Sequence, residues 1–186
     1  MKQLVVLAGF AVLLLGPAGC QNANRGVEVI IEGGGEFPEF LVGKWKADKE
    51  FWEFNFEPDG GISSAALGLG GVEVTPGKVA RFPTRYGGEG VFEPGPWIVW
   101  YSPENRELGV KVVIEHFYMQ MGKSALEGNT TDILAGPVSE DGKIWWAEWF
   151  SSGKYIGHIP EPNEFYNASE PEFRKSLIFE KVEQEE

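Results

Sequence analysis

Along most of the chain apolar residues recur at every second position, the period of a strand with one face in a core. The stretch from Phe51 to Phe56 sets the pattern, with Trp52, Phe54 and Phe56 on one face and Glu53 and Asn55 on the other. Glu57-Pro58-Asp59-Gly60 then supplies a turn, with proline at its second position and glycine at the left-handed one, and Gly61 to Leu67 returns as the hairpin partner. Looser alternation predicts short strands at Val72 to Thr75, Val79 to Phe82 and Gly90 to Glu93. Trp97 to Tyr101 and Leu108 to Met121 flank Ser102-Pro103-Glu104-Asn105 as the longest hairpin signal. Leu126 to Leu134 and Lys143 to Phe150 flank Ser139-Glu140-Asp141-Gly142, and Ser176 to Val182 closes the series. Short alternating segments punctuated by Gly, Pro, Asn and Asp predict an all-β domain, an antiparallel β-barrel or alternatively a two-sheet β-sandwich.

Two segments carry information beyond their length. In Lys143 to Phe150, Trp146 falls on one face and Trp145 and Trp149 on the other, so one tryptophan-bearing face is expected to be partly exposed. In Leu108 to Met121, Leu108, Val110, Val112 and Ile114 share a face, but beyond Glu115 the apolar residues Phe117, Met119 and Met121 fall on the opposite one. Either the register stays regular, so that His116 and Tyr118 join Ile114 inside the barrel, or a bulge near Glu115 turns both outward. The first arrangement makes Ile114, His116 and Tyr118 candidate ligand-binding residues, two of them able to orient the polar end of a small apolar ligand.

The N-terminus has a different organisation. Lys2 precedes an apolar run, Leu4 to Leu15, which is shorter than the about 20 residues of a membrane-spanning helix and ends in small residues before Cys20, the only cysteine. Leu15-Gly16-Pro17-Ala18-Gly19-Cys20 resembles a bacterial lipoprotein signal peptide, although Pro17 stands where that family usually has an aliphatic residue. The resemblance implies cleavage after residue 19, lipidation of Cys20 and a membrane partner reached through that anchor. It places the protein in the cell envelope and, in a cell with two membranes, Gln21 implies the periplasmic side of the outer membrane. Residues 20–36, which end in Gly33-Gly34-Gly35, read as a flexible tether; Val27 to Ile31 within them reads equally as a first strand. The barrel domain is then expected over 37–182, with 183–186 as an acidic tail.

Gly43-Lys44-Trp45, entered through the compact apolar turn Phe37 to Val42, resembles the opening of a lipocalin or lipocalin-like barrel. The resemblance implies that Trp45 closes one end of the barrel and that a basic residue near the last strand, Arg174 or Lys175, packs over it.

Composition narrows the partners. The formal charge is −12, and loss of Lys2 with the leader makes it more negative, which argues against nucleic acid as a partner. Lys78, Arg81 and Arg85 form a local basic stretch that reads as a solvated loop. With His116 and His158 far apart and Cys20 acylated, no metal or other cofactor is expected. No serine sits in a Gly-x-Ser-x-Gly elbow. Glu53-Phe54-Asn55-Phe56-Glu57 distantly resembles the catalytic strand of retaining β-sandwich glycosidases. Asn55 replaces its central aspartate, and residues four apart on a strand lie about 13 Å apart, against the about 5 Å that retaining carboxyls need. The chain is therefore read as a binding protein, not an enzyme. It is a lipid-anchored barrel for a small apolar ligand or, alternatively, an anchored interaction or carbohydrate-binding module without a cavity.

Overall fold

The computed structural model describes residues 26–85, 87–158, 167–168 and 173–183. They form one all-β, strongly curled half-barrel sheet; among them the only helical segment is a 3-10 turn, Glu39–Leu41. The strands are β1 (Val27–Ile31), β2 (Gly43–Ala47), β3 (Glu53–Phe56), β4 (Ile62–Ala66), β5 (Glu73–Val74), β6 (Ala80–Pro83) and β7 (Glu89–Pro94). They continue as β8 (Trp97–Ser102), β9 (Glu107–Met121), β10 (Ser124–Pro137), β11 (Ile144–His158), β12 (Asn167–Ala168) and β13 (Phe173–Lys181).

The predicted hairpins form with the predicted turns. Gly60 and Gly142 take left-handed backbone angles, φ 81° and 69°, and Asp59 Oδ1 accepts the Gly61 amide at 3.0 Å. The sheet runs β1-β8-β9-β10-β11-β13-β2-β3-β4-β5, so the last long strand, β13, pairs with β2 near the start of the chain. The β6–β7 hairpin attaches to the lower half of β9, below β8.

Between β5 and β6 the ladder is interrupted, and β1 lies against this seam. A Cβ built at Gly60 would come within 2.7 Å of Val29 and of Phe37, and one at Gly26 within 2.9 Å of the Gly77 amide. The stretch read as either tether or first strand is thus a strand, paired in parallel with β8 from Val27↔Trp97 to Ile31↔Tyr101. This corrects the domain boundary: the barrel domain takes in Val27 and does not start at Phe37, because Val27 is buried in the common core.

The interior of the half-barrel is aromatic. Trp45, Trp52, Trp97, Trp145, Phe54, Phe56, Phe92, Phe117 and Phe179 are all fully buried. Trp145 stacks on Phe179 at 4.5 Å between centroids, and Phe54 touches Trp52, Phe56, Trp145 and Phe179. The even-numbered side of β11 and β13 faces outward, where Trp146 and Ile178 are paired in register and 45% and 41% exposed. Trp145, Ala147 and Trp149 face in, so the partly exposed tryptophan-bearing face is that of Trp146. The curl is permitted at Gly136 and Gly153, where a Cβ would collide with the carbonyl oxygens of Trp146 and Asn129 on the neighbouring strand.

β9 contains the bulge. Gly128 pairs with Phe117 but Thr130 with Ile114, and on the other side Glu93 pairs with His116 but Pro94 with Ile114. Glu115 is the extra residue, and it resets the inward face from Ile114 to Phe117.

Candidate binding site on the concave face

The inward face of β10 is apolar at Leu134 but polar at Asp132 and Thr130; that of β11 passes from Trp149 to Ser151 and, beyond Gly153, to Tyr155. The register sets Asp132 opposite Ser151 and Leu134 opposite Trp149. Four polar residues thus meet on the concave side, with Thr130, Asp132 and Ser151 all buried and Tyr155 half-buried. Asp132 Oδ1 accepts the Trp149 indole at 2.9 Å, and its Oδ2 accepts the Thr130 hydroxyl at 2.9 Å. The Ser151 hydroxyl lies 3.5 Å from that of Thr130 and beside the carboxylate, and the Tyr155 phenol stands next to both hydroxyls.

Among the described residues every donor to this carboxylate is neutral. Burial pushes the Asp132 carboxyl above the usual carboxylate range, and the bonds from Ser151, Trp149 and Thr130 only partly offset it. Desolvation, aided by the charge of Asp132, pushes the Tyr155 phenol up as well. Aromatic side chains wall the cluster: Trp52 meets Trp149 edge-on at 5.5 Å, and Phe117 contacts Tyr155 at 5.6 Å. The Trp52 indole N–H is buried and has no partner, with the Gly68 backbone against it where a side chain would clash. Among the described residues Asp132 is thus a desolvated acceptor without a counter-ion, set beside aromatic side chains.

The residues expected to line a pocket are separated. Ile114 is fully buried, but His116 and Tyr118 lie on the outer face, because the bulge at Glu115 turns them out and brings Phe117 in. His116 Nε2 pairs with Glu127 at 2.9 Å and its Nδ1 sits 3.7 Å from Glu93; Tyr118 stands in register with Glu127 and Val91. The inward arrangement of these two residues beside Ile114 is therefore corrected. Met119 packs at the core edge and Met121 is exposed.

At the other end of the sheet Trp45 is fully buried, and its indole donates to the Leu41 carbonyl at 2.8 Å. Arg174 does not cover it: it is exposed opposite Phe150, on the outer face and at the far end of β13. Lys175 pairs with Glu50 at 2.6 Å. The basic residue in register with Trp45 is Lys181, whose ammonium donates to the Phe40 carbonyl at 2.9 Å and so clamps the 3-10 turn over the tryptophan. Burial draws the Lys181 pKa down, opposed by the charge of Glu39. A surface cleft of about 330 Å³ opens beside this end, lined by Val42, Gly43, Lys44, Lys143, Lys181, Val182 and Glu183.

Glu53 is held by Lys44 and Lys46 at 2.6 and 3.1 Å, and Asn55 donates to Ser63 at 2.7 Å. Burial raises the Glu53 carboxyl, but the two lysines outweigh it and lower the pKa overall. Among the described residues no group of three or more His, Cys, Asp or Glu is placed to hold a metal ion, and no helix is long and apolar enough to cross a membrane. Cys20 and the signal-like run lie outside the described residues. No family model, curated protein or solved structure matches the chain.

Proposed function

We propose that the chain is a lipid-anchored cell-envelope protein whose half-barrel, lipocalin-like in plan, holds a small ligand against its concave face. The observation that carries the reading is the buried Asp132 carboxylate, bonded to Trp149 and Thr130 and facing no cation among the described residues. Such a group costs stability in the empty protein, and a guest that satisfies it offsets that cost. The lipocalin-like plan is supported by Trp45, buried beneath a turn that Lys181 clamps. Anchorage is supported by Ala18-Gly19-Cys20 after the apolar run, and Gln21 supports the outer membrane as the destination. The function is binding, not catalysis.

Mass spectrometry of the protein purified from its own membrane tests both halves of the reading. The expected mass lacks residues 1–19 and carries acyl chains on Cys20, and gentle ionisation retains a small molecule that Asp132→Asn loses. Substitution of Cys20 by alanine is expected to abolish the acyl mass. An unacylated Cys20 refutes the anchor, and a guest retained equally by Asp132→Asn refutes the site.

The interaction-module reading rests on the convex face, where Trp146 and Ile178 stand side by side and exposed. Their replacement by serine would weaken a protein or glycan partner while leaving the concave guest in place.

A further inference from the structure

We infer that the concave site selects a compact organic ammonium, a cation borne on an apolar or aromatic-compatible body, over a neutral alcohol or an anion of the same shape. The inference rests on the reading of the half-barrel as a ligand holder and names the class of its ligand.

The argument starts from what the cluster lacks. The Asp132 carboxylate is 5% exposed, and Thr130 and Ser151 beside it are exposed still less. Its partners are an indole N–H and two hydroxyls, all uncharged, so nothing among them neutralises an ionised carboxylate. Burial without a counter-ion favours the protonated acid, and a structural network of neutral donors gains little from having an acid at its centre. An asparagine would keep a carbonyl for Trp149 and offer its amide N–H to the Thr130 hydroxyl, without the desolvation penalty of a charge.

A cation changes this balance. An ammonium beside Asp132 forms a charge-assisted hydrogen bond in a dry site, where such a bond is roughly twice as strong as a neutral one. The surrounding walls suit the same guest. Trp149 is bonded to the carboxylate and packed edge-on with Trp52, and Phe117 packs on Tyr155, so the surroundings are aromatic, and aromatic faces attract ammonium groups most when water is excluded. The formal charge of −12 enriches cations around the protein and repels anions.

The test uses the full chain and an isosteric pair of probes, cyclohexylammonium and cyclohexanol, titrated by calorimetry between pH 4 and pH 8. Cyclohexylammonium is expected to bind about tenfold or more tightly than cyclohexanol. Its affinity is expected to rise with pH as Asp132 ionises, and Asp132→Asn to remove both the preference and the pH dependence. Should that variant not fold, the Asp132 carboxyl is followed by carbon NMR in the unmodified chain, where saturating cyclohexylammonium is expected to lower its pKa. Equal affinity for the two probes, or an Asp132 titration that ignores the cation, overturns the ammonium inference but leaves the barrel as a holder of apolar guests. Failure of both probes to bind overturns the ligand-holding reading along with it.

Discussion

Removal of the Trp45 side chain should be among the most damaging single changes to the domain. The residue is fully buried, stands between Phe54 on β3 and Lys181 on β13, and donates its indole N–H to the Leu41 carbonyl. A buried indole takes on the order of 200 Å² out of water, which at about 25 cal/mol per Å² is about 5 kcal/mol. Incomplete collapse around the void adds to the loss and compaction of the unfolded chain subtracts from it, which leaves the about 3 to 5 kcal/mol typical of such truncations. Set against a total of about 5 to 15 kcal/mol for a domain, Trp45→Ala removes a third of the stability or more. Trp45→Phe keeps most of the area but leaves the Leu41 carbonyl unpaired, at a cost of about 1 to 3 kcal/mol. Urea unfolding followed by far-ultraviolet dichroism measures both, with Trp146→Ala on the exposed convex face as the reference for a tryptophan that packs on one side only. A Trp45→Ala unfolding free energy within about 1 kcal/mol of the parent, or a midpoint no lower than that of Trp146→Ala, refutes the role of Trp45 as the plug of this end.

Deletion of Glu115 removes the extra residue and leaves Ile114 and Phe117 two positions apart on one face of a regular strand, so the domain should still fold. Deletion of Val113 instead sets Val112 and Ile114 side by side and forces one out of the core at a cost of at least about 3 kcal/mol; a Glu115 deletion as damaging in urea as the Val113 deletion refutes the register assignment. Arg106→Ala, which removes bonds to the Val138, Ser139 and Glu140 carbonyls and a cation–π contact with Phe40, is expected to cost about 1 to 3 kcal/mol. Arg106→Lys should restore little of this, since an ammonium cannot reproduce the fork, and full recovery would show that only the charge matters. The folded pKa of Asp132 lies above its unfolded value, so its contribution to stability is full below the unfolded carboxylate pKa and is lost as pH rises through the folded one. Relative to Asp132→Asn, the parent should therefore lose stability across that acid window, and parallel curves would contradict the assignment.

How far the sequence could be read depended on whether each signal was local. The hairpins, their turns and the inward choice of Trp52, Phe54 and Phe56 follow from alternation and from Pro58, Asp59 and Gly60, all of which act within a few residues. The parallel pairing of Val27–Ile31 with Trp97–Tyr101 has no local mark, because it depends on a seam created elsewhere in the sheet. Arg174 stands out in the sequence for its nearness to the last strand, yet it is register that places Lys181, and not Arg174, opposite Trp45. At Glu115 the switch of apolar face announced a bulge as one of two outcomes, and a single strand could not choose between them. The concave cluster left a fainter trace: Thr130 and Asp132 interrupt a face that Leu134 continues, and Ser151 and Tyr155 do the same after Trp149. Each reads alone as an outward polar residue, and only the pairing of Asp132 with Ser151 makes them one site.

The strand laid against the seam imposes an order of assembly. β2 to β5 and β8 to β11 are joined by short connections, whereas Val27 meets Trp97 across about seventy positions. The closure entropy of that loop exceeds that of a four-residue turn by about 2.5 kcal/mol. β1 should therefore dock after the hairpins have formed, and until it does β8 keeps an unpaired edge over the upper part of its length. That edge is a template for a second chain in the same half-formed state. Refolding yield should then fall with protein concentration in chains whose first strand cannot pair, and a proline at Val29, in the middle of the parallel ladder, would turn a brief opening into a persistent one.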